Sequence, residues 1–176
     1  MNALLSYPYN LNRLGNAGDM VHFAADAEQC AAIAVWSGVL SMTRFEVAVN
    51  LRKIAPTRFG LDFTVTADVT QACVVSLEPA AAHVARQFTR ELDFVGAARR
   101  KSPESEAEIV LDDDPDEGPE EIESLHYDLA APALEDYALA LDPYPRKNGV
   151  EFQSPTDAAE APQSPFAALK SLKSGL

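Results

Sequence analysis

The chain has 176 residues, 47% of them apolar, and a formal net charge of −13. That length suits one domain with a substantial core, and no run of about 18 apolar residues suggests a membrane-spanning helix. Two cysteines, Cys30 and Cys73, are too few for a disulfide framework, and the first ten residues lack the basic start and apolar segment of an export signal. Both point to the reducing cytoplasm.

The charge is unevenly spread. Residues 1–101 carry ten Lys/Arg against nine Asp/Glu, residues 102–145 carry fifteen Asp/Glu and no Lys/Arg, and residues 146–176 carry four against three. The body is therefore near neutral, and repulsion of nucleic acid by the whole surface does not follow from the total.

In chain order, residues 1–19 read as an irregular or briefly extended lead-in ending in the loop-like Gly15-Asn16-Ala17-Gly18. Asp26 is a good N-cap with Gln29 three residues on, and an alanine-rich helix of about ten residues runs to a stop at Gly38. Cys30, Ile33, Ala34 and Trp36 are expected on its inner face. From Phe45 to Phe94 the spacing switches to period two, which predicts three long antiparallel strands. Phe45, Val47, Val49 and Leu51 share one side of the first. Phe59, Leu61, Phe63, Val65, Ala67, Val69 and Cys73 share one side of the second, with Gln71 the polar exception. Ala82, Val84, Phe88, Leu92 and Phe94 share one side of the third. Leu77-Glu78-Pro79 interrupts between the last two, since proline cannot donate to a mid-strand ladder.

Periodicity then stops. Residues 95–121, with Asp112-Asp113-Asp114-Pro115-Asp116-Glu117 at their centre, bury too little to offset chain entropy and are expected as an acidic flexible loop, in which Ile109-Val110-Leu111 could add a short edge strand. Leu129, Leu134, Tyr137, Ala138 and Leu141 return at helical spacing, with Pro132 in the first turn and Asp142-Pro143 as the end. Pro143-Tyr144-Pro145-Arg146 is stiff and extended, and residues 149–164 read as a flexible tail. Residues 165–173 form a last short helix capped by Ser164, with Phe166, Leu169 and Leu172 on one side. The predicted fold is α+β, a single domain over residues 1–148. Its curved antiparallel sheet, open or partly closed into a barrel, is covered by two helices, with a tethered terminal helix beyond.

No motif for chemistry stands out. A Cys73–His83 pairing would need the two side chains within hydrogen-bond reach, yet strand parity sends them to opposite faces, so Cys73 is expected buried and inert. His22 and His126 have no ligand-like spacing around them. The acidic run lacks the alternating ligands and central glycine of a calcium loop. Arg44, Arg52, Lys53, Arg58, Arg86 and Arg90 are numerous enough for phosphate contacts, but near-equal acids favour an ordinary mixed surface. Arg86 and Arg90 share the side of Val84 and Phe88, so they are expected to flank the core edge and snorkel outward.

Three segments together resemble the YceD family, the large ribosomal RNA subunit accumulation proteins, in an alphaproteobacterial-type form. They are Phe63-Thr64-Val65-Thr66-Ala67-Asp68 running to Leu77-Glu78-Pro79, then Leu134-Glu135-Asp136-Tyr137 running to Pro143-Tyr144-Pro145-Arg146, then Ser164-Pro165-Phe166-Ala167-Ala168-Leu169-Lys170. Many members carry a C-x-x-C pair before Leu-Glu-Pro that could hold zinc or act in redox chemistry. Here it is Cys73-Val74-Val75-Ser76, and one thiolate cannot build a tetrahedral site, so neither metal nor cofactor is expected. The resemblance implies a non-enzymatic, cytoplasmic factor supporting accumulation of large-subunit ribosomal RNA. It would bind a ribosome-assembly or rRNA-associated protein, or the RNA itself, with no membrane and no small-molecule substrate. The residues expected to meet that partner are Tyr144, Arg146, Phe166, Leu169 and Leu172, the last three by a helix-in-groove mode. A thiol-dependent hydrolase or redox enzyme using Cys73, and an acidic adaptor for basic proteins, are the alternatives.

Overall fold

The computed structural model describes residues 4–96 and 118–150. The chain enters as a short strand, β1 (Pro8–Asn10), then a 3-10 turn over Leu11–Arg13 that buries Leu11. Gly18 then turns the chain at φ +75°, where a Cβ would lie 2.8 Å from the Leu51 carbonyl oxygen, so only glycine fits. The lead-in is more ordered than expected. Residues Asp19–Ala24 form strand β2, whose alternation of Val21 and Phe23 with exposed neighbours is too short to stand out in sequence.

Helix α1 (Ala27–Ser37) has the predicted ends: a reciprocal capping box between Asp26 and Gln29, and Gly38 in the left-handed region at φ +73°. It buries Cys30, Ile33 and Ala34. Trp36 is a correction: it is half-exposed, turned outward beside Val35.

The predicted meander is present as β3 (Ser41–Lys53), β4 (Arg58–Ala72) and β5 (Pro79–Phe94), paired in antiparallel register from Lys53↔Phe59 and Ala72↔Pro79 onward. Beyond it, Glu120–Ile122 form β6, which pairs parallel to β5 at Leu92–Phe94. This corrects the expected acidic loop over residues 95–121, since residues 120 and 121 belong to the strand. A parallel neighbour requires a long connection, and the acidic run supplies its length. Residues 97–117, with Ile109-Val110-Leu111, and residues 151–176, with the predicted tail and terminal helix, lie outside the described residues.

Strand β7 (His126–Asp128) pairs with β1, and α2 (Ala130–Ala140) follows at once. Asp128 ties this region together: its carboxylate accepts from Tyr7 N–H (2.7 Å), Ser6 hydroxyl (2.8 Å) and Ala130 N–H (3.0 Å). The main sheet runs β2-β3-β4-β5-β6. It has two edges and is not closed, so the open form of the expected α+β fold is the one observed. Both helices lie on its apolar face, α1 against β3 and α2 against β4 and β5. Phe45, Phe63, Leu51, Leu61, Leu92, Ile33 and Tyr137 fill the layer between and are almost wholly excluded from water. Phe45 meets Tyr137 edge-on at 5.5 Å, and Phe63 stacks on its cross-strand partner Phe88 at 4.7 Å.

Candidate functional site

Where β4 ends and β5 begins, residues Cys73–Glu78 form a tight turn closed by Cys73 N–H to Glu78 O (2.9 Å) and Leu77 N–H to Cys73 O (2.9 Å). Leu77 sits at φ +59°. There its Cβ crowds the following carbonyl oxygen, at a cost of roughly 1–2 kcal/mol, and the side chain is 78% exposed, so packing among the described residues does not compensate for it.

The strap after α2 lies along this turn. Pro143 and Pro145 stiffen it, and the Asp142 carboxylate accepts from Tyr144 N–H at 2.8 Å. Four contacts fasten it. Gln71 Nε2 donates to Asp142 O at 3.0 Å, Val74 N–H donates to Pro145 O at 2.9 Å, Lys147 Nζ pairs with Glu78 at 2.9 Å, and Lys147 N–H points at the Cys73 sulfur. Two segments distant in sequence thereby become one surface. On it Val74, Leu77 and Tyr144 are exposed, Tyr144 at 72%. Arg146 is exposed beside them, with no ion pair among the described residues.

Of the expected partner residues, the structure puts Tyr144 and Arg146 on this surface; Phe166, Leu169 and Leu172 lie outside the described residues. Val74 and Leu77 were not singled out in sequence. The available signal was two apolar side chains in a turn beside a proline, where polar residues are the rule.

Cys73 is fully buried, as expected, but its setting corrects the expected one. It lies one residue beyond β4, apart from the main apolar cluster. Donors converge on its sulfur: the backbone N–H of Lys147, the Ser76 hydroxyl, and the backbone N–H groups of Ser76 and Val75. They bring its pKa from 9.0 down to about 6, while exclusion of water works the other way. Ser76 thus meets the thiol as a hydrogen-bond donor at the position where the C-x-x-C pattern has its second thiol. One sulfur and one hydroxyl do not fit a structural zinc ion, and no metal-binding cluster of three or more His, Cys, Asp or Glu occurs among the described residues. His83 is elsewhere: its Nδ1 lies 2.6 Å from Asp68 on the outer face, so it does not serve Cys73. Cys30 is the opposite case, its thiol pushed up by burial.

A titration follows. The folded state favours the Cys73 thiolate, so this group adds stability fully above the ordinary thiol pKa near 9, and the contribution fades as pH falls through about 6. Ultraviolet absorbance of the folded protein should show a thiolate appearing near pH 6 that is missing from Cys73→Ala. A bulky alkylating reagent should nonetheless react only at the rate the turn opens. Immediate labelling would show an accessible nucleophile and return the thiol-enzyme alternative to consideration.

Leu77 allows a second check. Leu77→Gly should relieve left-handed strain worth up to about 1 kcal/mol, measured as a urea midpoint, so a net loss of stability would mean that another segment covers the leucine side chain in solution.

The remaining cations on the sheet are largely engaged. Arg44 pairs with Asp68 and Arg52 with Asp62, each at 2.7 Å. Arg86 and Arg90 flank the core edge as expected and reach α2: Arg86 to Asp136, Arg90 to Glu135 and Asp136 and also to Glu120 of β6. Tyr127, pushed up to about 12 by burial and then by the Glu120 charge, donates to that glutamate at 3.4 Å. The mixed surface predicted from near-equal charge counts is what forms.

Against known proteins, a family model described as large ribosomal RNA subunit accumulation protein YceD matches residues 61–173. No curated protein and no solved structure matches. The matched stretch begins inside β4 and takes in β5, α2, the Cys73 turn and the strap.

Proposed function

The chain belongs to the YceD family of large ribosomal RNA subunit accumulation proteins, and from that membership we propose that it supports large-subunit ribosomal RNA by holding a partner rather than by catalysis. The observation that carries this reading is the exposed group Val74, Leu77 and Tyr144, fixed by backbone hydrogen bonds on a turn and a proline-stiffened strap inside the family-matched stretch. Rigid exposed aromatic and aliphatic side chains beside an arginine are the composition of a protein-binding hot spot.

The partner is a ribosome-assembly or rRNA-associated protein, met in the cytoplasm, and Phe166, Leu169 and Leu172 are a second apolar stripe available to the same task. A protein is favoured over RNA because phosphate binding draws on clustered cations, while Arg44, Arg52, Arg86 and Arg90 of the sheet are engaged by Asp68, Asp62, Glu120, Glu135 and Asp136, which leaves Lys53 and Arg58 as the sheet cations without an ion pair among the described residues. The complete shielding of the Cys73 sulfur favours this reading over a thiol-dependent enzyme.

Depleting the protein should lower large-subunit RNA relative to small-subunit RNA, and normal levels would refute the assignment. Capture from lysate that survives ribonuclease would fit a protein partner. Capture abolished by ribonuclease would make RNA the direct contact.

A further inference from the structure

We propose that the Val74–Leu77–Tyr144 surface is a docking site for residues Phe166–Leu172 of the same chain, so that the free protein covers its own apolar patch. The inference rests on reading that patch as a binding surface. Leu77 is both conformationally strained and mostly exposed, a combination that marks a surface shaped for contact.

Three observations name the occupant. The described chain ends at Val150, three residues beyond Lys147, whose backbone N–H and side chain are fastened to Cys73 and Glu78 of the same turn. The sixteen Cα-to-Cα steps from Val150 to Phe166 can span up to about 50 Å, several times the radius of gyration of about 14 Å for a domain of this size. Reach is therefore no obstacle, and tethering alone supplies an effective concentration on the order of millimolar.

The second observation is composition. Phe166, Leu169 and Leu172 recur at helical spacing and give three apolar side chains to set against Val74, Leu77 and Tyr144. The intervening Lys170 and following Lys173 bring cations toward a rim that holds Glu78 and Asp142.

The third is the extent of the family match, which runs through this segment to residue 173 and begins only at residue 61. Of the other exposed large apolar side chains, Val35, Trp36 and Leu40 near α1 lie outside it, as do Met20 and Ile54, and Leu139 of α2 lies inside it. The terminal stripe and the turn–strap surface therefore belong to one matched unit, and the α1 surface does not.

The test uses the full chain with a nitroxide on Ser174→Cys, Cys30 and Cys73 being buried. Resonances of Val74, Leu77 and Tyr144 should broaden several-fold more than those of Val35 and Leu40, independently of dilution, and Leu169→Asp should abolish the difference. Absence of selective broadening would overturn the proposal. So would broadening seen only between labelled and unlabelled copies, which would make a second molecule the occupant, or preferential broadening at Val35 and Leu40. Because this reads only the docking, a depleted strain with reduced large-subunit RNA but no broadening would sink the docking and leave the proposed function standing.

Discussion

Tyr137→Ala is expected to destabilise the protein by about 3–5 kcal/mol, the cost of emptying a large buried aromatic site. Total stabilities of about 5–15 kcal/mol are usual, so much of the folded population is at stake. Tyr137 is wholly buried, its ring stands edge-on to Phe45 at 5.5 Å and 86°, and its hydroxyl lies 3.2 Å from Ser37 Oγ. It is therefore the point where α2 is joined both to the sheet and to α1. Burial raises its pKa, so the phenol is neutral at physiological pH and no charge is stranded in the core. Tyr137→Phe separates the two contributions: it keeps the ring and removes one hydroxyl contact, at about 1 kcal/mol. Urea unfolding should show both midpoints fall at a constant slope. A loss below about 1 kcal/mol for the alanine variant would mean that α2 is not anchored through this ring.

The meander and both helices were legible because each repeats a period long enough to be unambiguous. Thirteen to sixteen residues of alternation in β3, β4 and β5 admit one register with the apolar set inward. The capping box at Asp26 and the stop at Gly38 bounded α1 to within a residue. The missed pieces were short. β2 has six residues and β6 three, and each is specified by its neighbour rather than by its own pattern. β6 borrows its ladder from the far end of β5, a contact no local window contains. Trp36 misled because size suggested burial, although it follows Val35 at the outward edge of the helix, while the inner face is taken by Cys30, Ile33 and Ala34.

The proposed surface was half legible. Tyr144 and Arg146 could be read from a proline-stiffened segment with exposed character. The other half depended on a tertiary fact: the strap lies against the β4–β5 turn, so residues 70 positions apart share one surface. The same fact misplaced Cys73 in expectation. Strand parity correctly sent it inward, but the strand ends at Ala72, and what surrounds the sulfur is converging N–H and hydroxyl donors rather than aliphatic side chains. Parity predicts direction and says nothing of the chemistry waiting there.

Tyr144→Ala combined with Arg146→Ala should reduce partner capture by at least about 30-fold, the equivalent of one hot-spot side chain at 2 kcal/mol or more. Both side chains are exposed and make none of the contacts that fasten the strap, which run through the Pro145 carbonyl, the Lys147 amide and the Gln71–Asp142 bond. Thermal stability should therefore stay within about 0.5 kcal/mol, and a loss of capture can be assigned to the surface. Tyr144→Phe should retain most binding, since the ring supplies the buried area, whereas Pro145→Ala should weaken it by loosening the frame without touching the contact atoms. If the double variant captures partner as well as the native chain, the contact lies elsewhere. The face of α1 carrying Val35 and Trp36, exposed and outside the family-matched stretch, would then be the next surface to alter.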